Sequence, residues 1–148
     1  MENNTEKKAI ESFRSGLNCS QAVFSAYAEK LDFDEKLALS VACGFGGGMG
    51  RLQETCGAVT GAFMAIGVHT CKKYTDNRER KEVSYTLIQD FSRRFKKIHS
   101  TTDCIDLLGV DLKTQEGSRI ANEKNLFGTI CEKCISDSIK IVNELNVI

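Results

Sequence analysis

The sequence predicts an all-α, single-domain bundle of five to seven helices over residues 1–148, with a glycine-rich loop before the fourth helix. Three observations carry this expectation. The chain has no proline, so nothing interrupts a ladder of helical backbone bonds. Apolar residues recur at helical spacing among charged ones over long stretches. Strand-like alternation of useful length, internal repeats and low-complexity tracts are all missing. A chain of 148 residues can bury a core without metal or disulfide staples.

The elements follow in order. Thr5 to Ser15 places Ala9, Ile10 and Phe13 on one face, with Gly16 as a C-cap. Asn18 or Ser20 then caps a second helix carrying Ala22, Val23, Ala26 and Leu31. Asp34 opens a third, in which Leu37, Val41 and neighbouring alanines should face inward, and the glycine run ends it. A fourth begins near Thr55 and carries Ala58, Val59, Ala62, Phe63, Ala65 and Ile66 toward Val68. The longest runs from about Arg78 to His99, with Val83, Leu87, Phe91 and Phe95 at helical spacing. A short element follows Asp103, the stretch from Asp111 to Lys124 is polar and weakly periodic, and the last helix covers about Thr129 to Leu145 with Ile135, Ile139 and Val142 as its stripe.

Charge narrows the function. Twenty Lys and Arg balance twenty Asp and Glu, which argues against nucleic acid as the main partner because phosphate binding needs a clustered basic surface. The densest basic stretch, Arg93 to Lys97, lies near a helix C-terminus, where cations complement the dipole. No apolar run approaches a membrane span, and the N-terminal residues lack a signal peptide's apolar core. The expectation is a cytoplasmic protein with no membrane partner, in which seven cysteines are reduced thiols and not a disulfide framework.

The residues from Cys43 to Gly61, CGFGGGMGRLQETCGAVTG, hold seven glycines and two cysteines. Glycine at this density weakens a helix, so it needs a reason. GFGGGMG does not match the dinucleotide pattern G-x-G-x-x-G, lacks the P-loop's Gly-Lys-Ser/Thr ending and follows no strand. A plain connection would use one or two glycines, not five in seven positions. The reading we prefer is that the run brings backbone close to a bound group, with Gly46, Gly47, Gly48 and Gly50 as its binding residues. Cys56 then sits at a helix opening, where unpaired amides and the dipole favour thiolate. Arg51 would add positive charge if the loop folds over the site. Gly57 and Gly61, one turn apart, allow another backbone to pack closely.

The other cysteines divide. Cys131 and Cys134 form C-E-K-C near the start of the last helix, a dithiol spacing without the βαβ context of thioredoxin-type motifs and without the second pair that zinc usually takes. Cys104 and Cys19 also lie at predicted helix openings, whereas Cys43 and Cys71 read as structural or incidental. Packing is the default for any single cysteine. His69 and His99 lie near helix ends without an evident partner, which suggests surface or capping roles, and no hydrolytic triad order stands out.

The order Cys19, then Cys56-Gly57-Ala58-Val59-Thr60-Gly61, then Cys104 and Cys131 resembles the bacterial and archaeal family named for its C…CGAxxG…C…C pattern. The flanks agree: Asn18 to Ala22, the FGGGMGR run, Leu107 to Asp111, and Ile141 to Leu145. The resemblance implies a redox-active protein with Cys19, Cys56, Cys104 and Cys131 as its defining cysteines. A related domain accompanies haem in split-Soret cytochromes, where an iron–sulfur centre has been proposed. This chain has no C-x-x-C-H, so covalent haem is not expected. Relatives carry an aromatic or apolar residue at the position of Cys134, which sets that cysteine outside the pattern.

Two redox versions follow, and one alternative. Cys19, Cys56, Cys104 and Cys131 would ligate an iron–sulfur cluster, the first choice of cofactor, with glycine-run amides bonded to the sulfurs. Alternatively Cys56 attacks as a thiolate and another cysteine, Cys131 in the first instance, resolves it. The non-redox alternative is zinc on the same four thiolates, or a helical module for a small ligand or partner whose cysteines only pack. The partner expected is an electron-transfer protein or a small molecule, and a homodimer is compatible with either.

Overall fold

The computed structural model describes residues 3–148. Among them the chain forms eight right-handed α-helices: α1 Asn4–Arg14, α2 Cys19–Ala26, α3 Glu35–Ala42, α4 Gly57–Lys73, α5 Asn77–His99, α6 Cys104–Leu108, α7 Gln115–Glu123 and α8 Glu132–Glu144. No strand occurs among these residues, and the one β-bridge pairs Thr55 with Asp103. None of the helices is long and apolar enough to cross a membrane.

Short polar side chains start most helices. Asn3, Asp34, Asp76 and Thr114 each accept a backbone N–H of the first turn of α1, α3, α5 and α7. Asn18 and Gln21 form a reciprocal capping box at α2, with Gln21 N–H on Asn18 Oδ1 at 2.9 Å and Asn18 N–H on Gln21 Oε1 at 3.1 Å. That cap fixes the position of Cys19, the first helical residue.

The core lies where α2, α4, α5 and α8 meet. Ala22, Val23, Phe24, Val59, Ala62, Ile66, Phe91, Phe95, Ile135, Ile139 and Val142 are all buried there. Helices α2 and α4 come closest, because α4 faces α2 with Gly57 and Gly61. A Cβ on Gly61 would stand 2.7 Å from the Ser20 carbonyl, and one on Gly57 would stand 3.0 Å from Cys19 Cβ. The close packing expected of this pair is therefore present, and it carries Cys19 alongside the start of α4.

The structure corrects the sequence reading at three places in the fold. Helix α7 brings the count to eight; its buried face is Gly117 and Ala121, too small to write an apolar stripe into the sequence. In α3 the inward residues are Ala38 and Ala42, while Leu37 and Val41 are about half exposed. The glycine run is not an open loop. A tight 3₁₀ turn, Cys43–Phe45, leads into a single turn over Gly46–Met49 in which Gly47, Gly48, Met49, Gly50 and Arg51 all have φ between 63° and 67°. It is a turn of left-handed helix, closed by the Gly50 N–H on the Gly46 carbonyl at 2.9 Å.

Candidate functional site

The left-handed turn returns the chain to a short antiparallel pairing that holds two cysteines side by side. Cys56 N–H donates to the Thr102 carbonyl at 2.8 Å, Cys104 N–H donates to Glu54 at 2.7 Å, and Ile105 N–H donates to Gln53 at 3.1 Å. Cys56 is the N-cap of α4 and Cys104 the first residue of α6, so each stands at a helix opening. Gly48 packs under this pairing: a Cβ there would lie 2.7 Å from both Cys104 Cβ and Gln53 Cα. What the glycine run approaches, then, is the cysteine-bearing backbone itself.

Two further cysteines arrive from the end of the chain. A π-helical turn, Phe127–Cys131, runs into α8 and delivers Cys131, with Cys134 buried one turn later. π-turns of this kind are frequent at functional sites. Cys19, Cys56, Cys104, Cys131 and Cys134 all line one cavity of about 710 Å³, and so do Gly46, Gly47, Gly48 and Gly50. Cys43, read from sequence as incidental, lines it too at an exposed position, and its carbonyl accepts the Asn18 side-chain amide at 2.9 Å. Cys71 does not reach the cavity; it is exposed at the end of α4.

The thiols act on one another. The neighbouring Cys134 side chain holds the Cys56 thiol below its ordinary range; burial opposes this, and the N–H groups of Ala58 and Val59 in the first turn of α4 assist it. The Cys56 side chain in turn drives Cys134 far upward, with burial and the charges of Cys56, Cys131 and Asp137 adding to it. Cys19 is likewise raised well above its ordinary value, first by the Cys131 side chain and then by burial. Burial, followed by the charges of Cys56 and Cys131, pushes Cys104 up to about 12, against the opposing influence of the Gln53 side chain. Where burial and neighbours push Cys19, Cys104 and Cys134 upward, Cys56 alone of these four is favoured as thiolate.

Several contributors have no signature in the sequence. Gln53 is buried with φ 55°; its amide donates to the Val110 carbonyl at 2.8 Å and accepts from Leu112 N–H at 2.7 Å. It ties the segment after α6 to the backbone beside Cys104. The sequence pairs Cys134 with Cys131 through C-x-x-C, whereas the first influence on the Cys56 thiol is that of Cys134 and the first on the Cys19 thiol is that of Cys131. His99 is not a surface residue. Its Nε2 lies 2.8 Å from Asp137 Oδ2, only 11% of the side chain is exposed, and the ring stacks on Phe95.

The donor set bears on what the cavity can hold. Four thiols from four separate elements suit a polynuclear iron–sulfur centre in number and type. Among the described residues no three His, Cys, Asp or Glu side chains gather closely enough to share a single metal ion.

Comparison with known proteins follows the cysteine pattern. Residues 17–145 match the family model described as "Putative redox-active protein (C_GCAxxG_C_C)". An uncharacterized protein of Archaeoglobus fulgidus is 28% identical over 109 residues, covering 69% of this chain and 72% of that protein. No solved structure matches. With the match spanning nearly the whole chain and every cysteine of the pattern on one cavity, the chain belongs to the C_GCAxxG_C_C family.

Proposed function

We propose that this protein is a thiol-redox protein in which Cys56 is the working thiolate and Cys134 the thiol that resolves it. The observation that carries the reading is that Cys56, at the opening of α4, and the buried Cys134 line one cavity large enough to admit a reactant, with Cys134 holding the Cys56 thiol below its ordinary range. The Cys56 thiolate attacks one sulfur of a disulfide, the S–S bond breaks, and one thiolate leaves. Cys134 gives its proton to that leaving group and attacks Cys56 Sγ, releasing the second thiolate. Two electrons pass from the protein to the disulfide, and the protein is left with a Cys56–Cys134 disulfide.

The test is the pH dependence of alkylation, read cysteine by cysteine with iodoacetamide and peptide mass spectrometry. The half-maximal rate at Cys56 is expected below the ordinary thiol pKa of about 8.5, and it moves upward in Cys134→Ala. A Cys56 midpoint at or above that value, unmoved by Cys134→Ala, overturns the assignment.

A second reading is favoured by one observation, that Cys19, Cys56, Cys104 and Cys131 all line the same cavity. These four residues would hold an iron–sulfur cluster, which would supply one-electron transfer. Anaerobic purification decides it: iron and acid-labile sulfide that disappear in Cys56→Ser support the cluster, while colourless, iron-free protein that resists reconstitution removes it.

A further inference from the structure

The cavity has a floor and a mouth of different chemistry. Cys56, Cys104, Cys134 and Gly48 are buried at the floor, while Cys43, Gly44, Gly50, Arg51 and Asn122 are exposed at the mouth. Cys56 and Cys134 are 6% and 1% exposed, so a disulfide fixed in a folded protein could not reach them, whereas a small molecule passing down the cavity could. At about 710 Å³ the space is of ligand size and far exceeds the needs of a bond between two cysteines.

The charge of the wall is equally uneven. Among the described residues Arg51 is the one basic residue lining the cavity, and no carboxylate lines it. Its side-chain stem is laid across the left-handed turn, with Cγ at 3.0 Å from the place a Gly47 Cβ would occupy. Leu107, Leu112, Phe127 and Ile130 supply apolar wall, and Asn18, Ser118 and Asn122 supply neutral polar groups. Such a pocket suits a body that is mostly apolar and carries negative charge at one end. An anion also needs a nearby cation to approach a thiolate, because the two repel.

We infer that the cavity takes a small organic disulfide bearing an acid group, with the acid held by Arg51 at the mouth and the S–S bond presented to Cys56 at the floor. The inference rests on the thiol-redox reading and names its substrate class. The covalent step is the exchange written above, with this disulfide as oxidant and its two halves released as thiols, the acid-bearing half among them.

The test uses three probes of similar size: dithiodiglycolate as an anion, cystamine as a cation and hydroxyethyl disulfide as a neutral reference. Mixed-disulfide or disulfide formation at Cys56 is timed by peptide mass spectrometry in reduced, full-length protein. Each rate is divided by that of free cysteine with the same probe, which removes differences in intrinsic reactivity. The expected result is a normalised anion-to-cation ratio of about ten or more at low salt that collapses in Arg51→Glu, with Arg51→Gln intermediate. A ratio that is the same in Arg51→Glu and in the unmodified protein overturns the inference and leaves the thiol-redox reading standing. Failure of Cys56 to react even with the neutral probe overturns both.

Discussion

Replacing Gly48 by alanine tests whether the glycine run exists to seat the cysteine-bearing backbone. Gly48 has φ 67° and ψ 54°, and its absent Cβ leaves room for Cys104 Cβ and Gln53 Cα, each 2.7 Å from where that atom would be. Alanine in a left-handed conformation costs about 1–2 kcal/mol. Overpacking against a neighbour that cannot swing away costs about 1–3 kcal/mol more, and Gln53 Cα is backbone. Together they predict a loss of roughly 3 kcal/mol, which for a chain of this length lowers the melting temperature by about 6–12 °C. Thermal unfolding followed by circular dichroism reads this directly. Gly44→Ala is the control, since nothing lies within 4 Å of its added Cβ; it should be neutral or stabilising by up to about 1 kcal/mol. If the two variants unfold within about 0.5 kcal/mol of each other, the packing argument for the run is wrong.

The remaining predictions concern the thiols and the buried polar groups. Cys104, Cys19 and Cys134 have folded pKa values above their unfolded ones, so their contribution to stability is full below about pH 8.5 and is lost as pH rises. Cys56, with its pKa lowered, contributes in the opposite sense, above its unfolded value. The three outweigh the one: urea midpoints should fall between pH 8 and pH 10, less steeply in Cys104→Ala, and a flat profile would refute the burial argument. His99→Ala should cost about 3 kcal/mol, because it leaves the Asp137 carboxylate, 8% exposed, with Lys133 alone; a loss under about 1 kcal/mol would show the pair to be incidental. Ser138 Oγ is buried without a hydrogen-bond partner among the described residues, so Ser138→Ala should raise stability by about 1 kcal/mol, and a clear loss would mean that the hydroxyl has a partner.

Helix content and the core faces of α2, α4, α5 and α8 could be read from periodicity, because Val23, Val59, Phe91, Phe95, Ile135 and Ile139 write it in large side chains. Helix α3 was legible from its Asp34 cap but not in its full inward face, and α7 was not legible at all, because their buried faces are alanine and glycine. Within the site, helix-opening arguments found Cys19, Cys56 and Cys104, since caps are local. The influence of Cys134 on Cys56 was hidden by the short spacing to Cys131, which invites a reading along the helix. Gln53, Cys43 and the His99–Asp137 pair depend on contacts between distant segments, and no local pattern encodes those. The glycine density signalled close approach but not its target. That target, Cys104 and Gln53, became visible only with the left-handed turn in place.

The central claim is that Cys56 and Cys134 form the working pair. Its most direct test is to oxidise the reduced protein with hydroxyethyl disulfide under denaturant-free conditions and map the resulting bond by non-reducing peptide mass spectrometry. The account predicts a Cys56–Cys134 disulfide, blocked in either single serine variant. A Cys131–Cys134 bond in its place would contradict it and return the chemistry to the C-x-x-C pair.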